Sequence, residues 1–105
     1  MALMAYDLKP EGTATFRTEL VNDAPQDGPN GLVVDAEGNL WVAVRDATRP
    51  GIYAYTPEGE EKAYIPTPVP TNAGFGRRDH SNILYITASN HLYRINVGKR
   101  GYHLP

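Results

Sequence analysis

Short apolar segments recur along the chain, and each is bounded by glycine, proline, asparagine or aspartate. Apolar runs separated by such turn-forming residues are typical of β-strands in successive hairpins. No window combines apolar residues at helical spacing with capping residues, and nine prolines interrupt the chain. The pattern therefore predicts an all-β fold of about ten short strands in an antiparallel meander, with no helix longer than two turns between Gly31 and Ile95. The predicted strand pairs are 3–8 with 13–20, 31–35 with 39–45, 52–56 with 62–65, 73–76 with 83–88, and 91–97 with 101–104.

Two parts of the chain repeat each other at separations of 40 to 44 residues. A repeat of roughly 40–50 residues built from short strands is typical of the blades of a β-propeller. The first strand pair also resembles the third, since Pro10-Glu11-Gly12 and Pro57-Glu58-Gly59 supply similar turns. The matched segments are Asn30 with Asn72, Leu40-Trp41-Val42 with Leu84-Tyr85-Ile86, Ile52-Tyr53-Ala54-Tyr55 with Leu92-Tyr93-Arg94-Ile95, and Leu3-Met4-Ala5-Tyr6 with Ile52-Tyr53-Ala54-Tyr55.

The repeat predicts how the strands divide among blades. With four strands in each blade, the chain would begin with the second half of one blade over residues 1–22. A complete blade over 29–66 and a second blade over 70–105 would follow. The fold prediction is thus a single domain, a partial β-propeller of about two and a half four-stranded antiparallel blades. The second strand of each larger blade is a continuous apolar run, which predicts burial on both faces and a core position for Trp41.

Composition excludes several classes of function. The formal net charge is −2, and Arg77-Arg78 and Lys99-Arg100 are only pairs, so neither nucleic acid nor an anionic membrane is an expected partner. The chain has no cysteine, which excludes disulfides and thiolate metal sites and agrees with a cytoplasmic location. Asp7 and Lys9 interrupt the apolar start of the chain, so no signal peptide or membrane span is predicted there.

Three segments of the sequence are each common in β-hairpins, but their order and spacing together are a more specific pattern than any one segment. They are 5–13 (AYDLKPEGT), 27–43 (DGPNGLVVDAEGNLWVA), and 70–76 (PTNAGFG) together with 84–88 (LYITA). In these phrases the whole chain resembles the C-terminal part of the gluconolactonase and senescence-marker-protein (regucalcin) family. The resemblance implies a six-bladed propeller that holds a divalent metal in its central channel and hydrolyses lactones or related esters.

The resemblance also implies a set of metal ligands, most of which this chain does not match. They would be a Glu near the N-terminus, Asn residues in middle blades, and the Asp of a Pro-Asp-Gly motif in a late blade. Only the last has a counterpart here, and it is Asn30 within Pro29-Asn30-Gly31. An Asn oxygen can bind calcium, but it carries no negative charge and cannot act as a general base. Asn30 is therefore the candidate metal ligand for calcium, manganese or zinc, and no catalytic or substrate-binding residue is identified.

Asn30 and Asn72 have two interpretations, which the sequence leaves open. Each stands where an innermost strand is predicted to begin, so each is either a ligand at the channel mouth or a turn residue that bonds to nearby backbone. The loops that precede the first strand and follow the second strand of a four-stranded meander lie at one rim. The residues expected at that rim are Asp27, Asn30, Asp46, Arg49, Asn72, Asn90 and His91.

The histidines indicate no further site. His80, His91 and His103 share no metal-ligand spacing, and His80 falls in a lengthened hairpin turn. Ser81, His91 and Asp46 could be imagined as a hydrolase triad, but nothing in the sequence brings them together.

Two functions remain open from the sequence. In one, the chain is a piece of a metal-dependent lactonase or esterase that acts on sugar lactones. In the other, it is a shortened propeller module that is catalytically inactive alone and associates with copies of itself. The number of ligands favours the second function, and whether the chain is an enzyme is left open.

Self-association is expected because an arc of blades leaves apolar end faces and unpaired strand edges. We expect a homo-oligomer, with a twofold dimer favoured, in which Leu3, Met4 and Tyr6 are buried at or near the contact. The alternative is a ring of copies that rebuilds a channel and brings several copies of Asn30 together. Only such a rebuilt site would take a small-molecule lactone as its partner.

Overall fold

The computed structural model describes residues 2–22 and 29–102. Over these ranges the chain forms three antiparallel sheets, and the helical structure is a single short 3-10 helix, Arg78–His80. The prediction of an all-β fold is confirmed, with nine strands against about ten expected from the pattern. The first sheet contains β1 (Ala2–Leu8) and β2 (Ala14–Asn22); the second contains β3 (Pro29–Val34), β4 (Leu40–Val44), β5 (Gly51–Tyr55) and β6 (Glu61–Pro66); the third contains β7 (Pro70–Phe75), β8 (Ile83–Ala88) and β9 (His91–Asn96). Within these described ranges, no helix has the length and apolar character needed to cross a membrane.

Two hairpin turns of the second sheet show why the strands end where they do. Gly38 donates its backbone N–H to the Asp35 carbonyl oxygen at 3.1 Å, and Gly59 donates to the Thr56 carbonyl oxygen at 2.9 Å. Both glycines have φ near 90°, at 86° and 92°, a conformation that other residues rarely adopt. The glycines that mark turns in the sequence therefore reverse the chain in the structure.

The main hydrophobic core lies between the second and third sheets. Trp41 is 5% exposed, so its predicted core position is confirmed. Its ring meets the Phe75 ring edge to face, with centroids 6.1 Å apart. This contact joins β4 of the second sheet to β7 of the third. The buried members of this core are Trp41, Ala43, Ile52, Ala54, Phe75, Leu84, Ile86 and Ala88.

A second core covers the opposite face of the second sheet. Val42, Val44, Tyr53 and Tyr55 are buried there, and Leu3 of the first sheet packs against them. The second sheet therefore lies between two neighbours, and β4 is buried on both faces as its apolar run predicted.

The same prediction is wrong for β8. Leu84, Ile86 and Ala88 are buried against the second sheet, whereas Tyr85 is only half-buried and Thr87 is exposed. The reason is that no other sheet of the described residues packs on the far side of the third sheet. An alternating pattern of burial follows because successive side chains of a strand point to opposite faces.

The segment that follows β9 crosses to the second sheet. The sequence suggested a weak outer strand over 101–104 in the last blade, but Gly101 instead forms an isolated antiparallel bridge with Asp35. Ala36 donates its N–H to the Arg100 carbonyl oxygen at 2.6 Å, and Tyr102 donates to the Val34 carbonyl oxygen at 3.0 Å. Gly101 lies so close to Phe75 that a β-carbon at position 101 would overlap the Phe75 side chain. Residues 97–102, named here the C-terminal strap, thus join the second and third sheets, while 103–104 lie outside the described residues.

Candidate functional site

The expected rim residues lie at one end of the sheets. Val44 pairs with both Pro29 and Gly51, and Ala88 pairs with both Pro70 and His91. The starts of β3 and β7 are therefore level with the β4–β5 loop and the β8–β9 turn of their own sheets. The described residues at this end are Asn30, Asp46, Arg49, Asn72, Asn90 and His91, and Asp27 lies outside the described residues.

The register at this end differs by one residue from the match seen in the sequence. In β3, Pro29 and Gly31 pair with consecutive residues of β4, so Asn30 is the extra residue of a β-bulge. In β7 the same irregularity lies between Pro70 and Asn72, which makes Thr71 the extra residue. The structural counterpart of Asn30 is therefore Thr71, and Asn72 corresponds to Gly31.

The two asparagines have different surroundings. The Asn72 side-chain oxygen accepts the backbone N–H of Ala73 at 2.9 Å. This agrees with the interpretation of Asn72 as a residue that bonds to nearby backbone. Its side chain also lies against Gly31, where a β-carbon would overlap it. Asn30 is exposed, and its side chain makes no hydrogen bond within the described residues.

An open groove of about 280 Å³ lies beside Asn72 on the exposed side of the third sheet. Its polar groups are neutral. The Thr87 hydroxyl of the lining shares a 2.8 Å hydrogen bond with the neighbouring Thr71 hydroxyl and also donates to the Asn72 carbonyl oxygen at 3.4 Å. The lining contains no ionisable group other than the Tyr85 phenol, so the groove offers no general base for neutral pH. The lining residues are Asn72, Ala73, Gly74, Tyr85, Thr87 and Leu92.

Arg49 belongs to a closed cluster at the rim. Its guanidinium donates to both Glu61 carboxylate oxygens, at 3.1 and 3.2 Å, and lies 4.0 Å from the Tyr64 ring centroid and 4.9 Å from that of Tyr53. The Tyr53 hydroxyl donates to the Arg49 carbonyl oxygen at 2.6 Å. The bonds to Glu61 raise the pKa of Arg49 further above its usual value. The cluster secures the β4–β5 loop to β6, and the guanidinium already has its carboxylate partner.

A buried carboxylate that the sequence analysis did not single out lies at the opposite end of the second sheet. Asp35 is 1% exposed, and one of its oxygens accepts the backbone N–H groups of Glu37 and Asn39, at 2.8 and 3.0 Å. The other accepts the Asn39 amide at 2.9 Å and the Trp41 indole N–H at 3.0 Å. Burial acts to raise the pKa of Asp35, but these hydrogen bonds outweigh it and hold the pKa below its ordinary value. The sequence signal that could have found this site is the short spacing from Asp35, through the turn that follows it, to Trp41.

Among the described residues, neither the histidines His80 and His91 nor the imagined triad forms a site. The Asp46 carboxylate accepts the Thr48 backbone N–H and hydroxyl, both at 3.1 Å. The His91 ring packs beside Tyr93, with centroids 5.8 Å apart. No hydrogen bond joins Ser81, His91 and Asp46 in the part of the chain that the structure describes. His80 lies in the short 3-10 helix, and His103 lies outside the described residues.

The family model described as the SMP-30/Gluconolactonase/LRE-like region matches residues 1–90. The chain belongs to this family. Regucalcin of Danio rerio is 32% identical over 85 residues, which cover 80% of this chain and 28% of regucalcin. An X-ray structure assigned as a gluconolactonase matches with a TM-score of 0.83 at 29% identity, covering 98% of this chain and 34% of that one. The chain therefore spans about a third of the length of these relatives, and the resemblance seen in the sequence is confirmed.

The described residues of this family member do not fit a divalent metal centre. No group of three or more His, Cys, Asp or Glu side chains within the described ranges could hold a metal ion. Asn30 offers one neutral oxygen, and the Asn72 oxygen is already an acceptor for Ala73. Calcium takes six to eight oxygen ligands, usually including carboxylates, and zinc prefers His, Cys and carboxylates. The described rim residues therefore supply too few ligands for such an ion, and the Asn30 side chain carries no negative charge.

Proposed function

We propose that this chain is a partial β-propeller module of the SMP-30/gluconolactonase family, inactive as a lactonase by itself and able to associate with copies of itself. The observation that carries the proposal is the neutral side chain of Asn30. It stands where the family resemblance implies a carboxylate ligand, yet it is a neutral, exposed side chain at a β-bulge. The chain has about two and a half blades in this proposal.

The propeller architecture is supported by the equivalence of successive sheets. β4 and β5 of the second sheet pair in the same register as β8 and β9 of the third, since Trp41 pairs with Ala54 and Tyr85 with Arg94. Both larger sheets begin with a bulged strand, and the two pack face to face on each other. Sheets repeated and stacked in this way are typical of propeller blades.

The absence of activity follows from the chemistry of lactone hydrolysis. At neutral pH the attacking water must be activated by a metal ion or a general base. An amide oxygen such as that of Asn30 does neither alone. The buried carboxylate of Asp35 accepts four hydrogen bonds at the other end of the sheet and is shielded from solvent, so it is no substitute.

Self-association is supported by the apolar surface of the first sheet. Met4, Tyr6 and Phe16 are 47%, 56% and 55% exposed. Soluble monomers rarely keep large contiguous apolar patches open to water. A two-stranded sheet is also marginal without further partners. A homodimer therefore remains the proposed state.

The second candidate function is that of one part of a metal-dependent lactonase. It is favoured by the match to the gluconolactonase structure. The match includes 98% of this chain but only 34% of that one, so about two thirds of the gluconolactonase has no counterpart here. In that case the missing ligands would come from other blades, and Asn30 would join them. Calcium would be the first metal to test because it accepts neutral oxygen ligands, followed by manganese and zinc. We also propose a cytoplasmic location, which the cysteine-free sequence supports.

One set of measurements on the purified chain tests whether it is inactive by itself. Thermal unfolding is followed with calcium, manganese or zinc added, and gluconolactone hydrolysis is followed with the same metals. We expect no metal-dependent rise in melting temperature and no hydrolysis above the buffer rate. Metal-dependent hydrolysis that is lost in Asn30→Ala, but kept in the control Asn90→Ala, would instead establish the enzymatic function. Light scattering across micromolar concentrations tests association, and a monomer mass throughout would refute that part.

A further inference from the structure

Asn30 is followed by glycine, which is true of no other asparagine in the chain. The other six precede larger residues, for example His91 after Asn90. An asparagine before glycine can lose its amide group without an enzyme, because the following backbone nitrogen can reach the side-chain carbonyl carbon. A β-carbon on the following residue hinders that approach, and glycine has none. The pair Asn30-Gly31 is therefore the position where the sequence most favours deamidation.

The packing of the sheets explains why residue 31 is glycine. A β-carbon at Gly31 would overlap the Asn72 side-chain oxygen and would lie 3.0 Å from the Thr71 carbonyl oxygen. β7 of the third sheet therefore approaches β3 so closely that only glycine fits without a shift of its neighbours. The contact between the second and third sheets thus keeps a glycine directly after Asn30.

Asn30 has the conformational freedom that the reaction needs. Its side chain is exposed and makes no hydrogen bond within the described residues. It is the extra residue of the bulge, so no residue of β4 pairs with it. It also lies at the start of β3, an outer strand of its sheet, and the ends of strands open locally at little cost in free energy. Both the amide and the backbone can therefore rotate towards the geometry of attack.

Other asparagines of the described residues lack this combination. The Asn72 side-chain oxygen accepts the Ala73 backbone N–H at 2.9 Å, so the nitrogen that would attack is held as a donor. Asn39 is 4% exposed and donates its side-chain amide to Asp35 at 2.9 Å. Asn90 is exposed at the turn between β8 and β9, but it precedes histidine and not glycine. Asn90 is therefore a matched control for exposure without the glycine.

We propose that Asn30 is a deamidation site, at which this rim residue becomes a carboxylate without the action of an enzyme. The Gly31 backbone nitrogen loses its proton to base and bonds to the Asn30 Cγ, and the Cγ–Nδ2 bond breaks to release ammonia. Water then opens the cyclic imide. Cleavage of the new Cγ–N bond gives aspartate, whereas cleavage between the Asn30 carbonyl carbon and the Gly31 nitrogen gives isoaspartate. Water is the one co-reactant, and no oxidant or reductant takes part.

The inference goes beyond the proposed function, because it concerns a covalent change and not the activity of the unmodified chain. The product adds one negative charge at residue 30, so the formal net charge changes from −2 to −3. Carboxylate oxygens are usual ligands of calcium, whereas the amide of Asn30 supplies a neutral oxygen. If Asn30 does not deamidate, the proposed inactivity of the amide form is unaffected.

The first test follows the acidic product by ion-exchange chromatography in water enriched in oxygen-18. Wild type is compared with Asn30→Gln, in which the longer side chain would have to form a larger ring, and with the matched control Asn90→Gln. We expect wild type and Asn90→Gln to react at rates within twofold of each other, and Asn30→Gln at least about tenfold more slowly. Fragmentation mass spectrometry should place the heavy oxygen at residue 30. Equal rates in wild type and Asn30→Gln, or heavy oxygen at another asparagine instead, would overturn the inference.

The second test compares the folded chain with an end-blocked peptide of residues 29–35 (PNGLVVD), which reacts without a fold. Only about one molecule in a thousand or fewer is globally unfolded at a time, so reaction through the unfolded chain would be slower than the peptide by at least that factor. Local opening at the bulge gives a faster route, and we expect the folded chain to react within about a hundredfold of the peptide rate. Any slower rate would show that β3 protects Asn30 and would refute the site.

Discussion

The buried carboxylate of Asp35 should make a large contribution to the stability of the fold. Replacing it with asparagine keeps the shape of the side chain but turns one acceptor oxygen into an NH₂ donor. In the native structure one oxygen accepts from the backbone of Glu37 and Asn39, and the other accepts from the side chains of Asn39 and Trp41. In Asp35→Asn the new NH₂ group replaces one of these oxygens. In either orientation of the amide, the two N–H groups that donated to that oxygen then face another donor.

The magnitude follows from the number of donors left without an acceptor. Each buried donor that loses its partner costs about 1–3 kcal/mol, so two cost about 2–6 kcal/mol. Rotation of the Asn39 amide would present its oxygen and recover one of them. We therefore expect Asp35→Asn to lower the free energy of unfolding by about 1–3 kcal/mol with that rotation and by about 2–6 kcal/mol without it. Either loss is a sizeable share of the roughly 5–15 kcal/mol typical of a domain.

Urea unfolding at pH 7, followed by the fluorescence of the single tryptophan, measures this loss. The matched control is Asp79→Asn, an exposed carboxylate, for which a change within about 0.5 kcal/mol is expected. If Asp35→Asn unfolds within that same range of wild type, the hydrogen bonds at Asp35 do not stabilise the fold and the argument fails.

The pH dependence supplies an independent check on the same carboxylate. The pKa of Asp35 lies below its ordinary value of 3.8 in the folded chain, so the ionised form stabilises the fold at pH values above 3.8. That contribution decreases as the pH falls from 3.8 through the lower folded pKa. The stability difference between wild type and Asp35→Asn should be constant above about pH 5 and shrink below about pH 4. A difference that grows in acid would contradict this sign.

Three further substitutions test the packing. Ile86→Ala, at a position 1% exposed in the main core, should lower the free energy of unfolding in urea by about 2–5 kcal/mol, and a loss under 1 kcal/mol would argue against that core. Gly101→Ala should displace the C-terminal strap from Phe75 and cost about 1–3 kcal/mol, with faster hydrogen exchange at the Ala36 amide; unchanged exchange would contradict the strap contact. Trp41→Phe removes the indole donor to Asp35 and should raise the pKa of Asp35, so that acid unfolding begins at higher pH than in wild type. An acid transition at the wild-type pH would refute that link.

The sequence by itself determined the strands, the turns and much of the core. Short apolar runs and turn glycines such as Gly38 and Gly59 can be read from the sequence because their effects are local. The alternation of side chains along a strand and a positive φ at a turn both depend on neighbouring residues. Trp41 was predicted to be buried because its strand is apolar on both faces. The family, too, could be recognised from the order of three phrases.

Only the tertiary structure decided the details of the rim and of the third sheet. Thr71, not Asn72, is the counterpart of Asn30, because a β-bulge shifts the register and depends on pairing with another strand. The exposure of Thr87 depends on whether another sheet covers it, which the local pattern of β8 does not contain. The hydrogen bond from the Trp41 indole to the Asp35 carboxylate forms only when the hairpin closes and the turn is buried. Strand identity is a property of adjacent residues, whereas register, coverage and a buried charge network are set by contacts between distant ones.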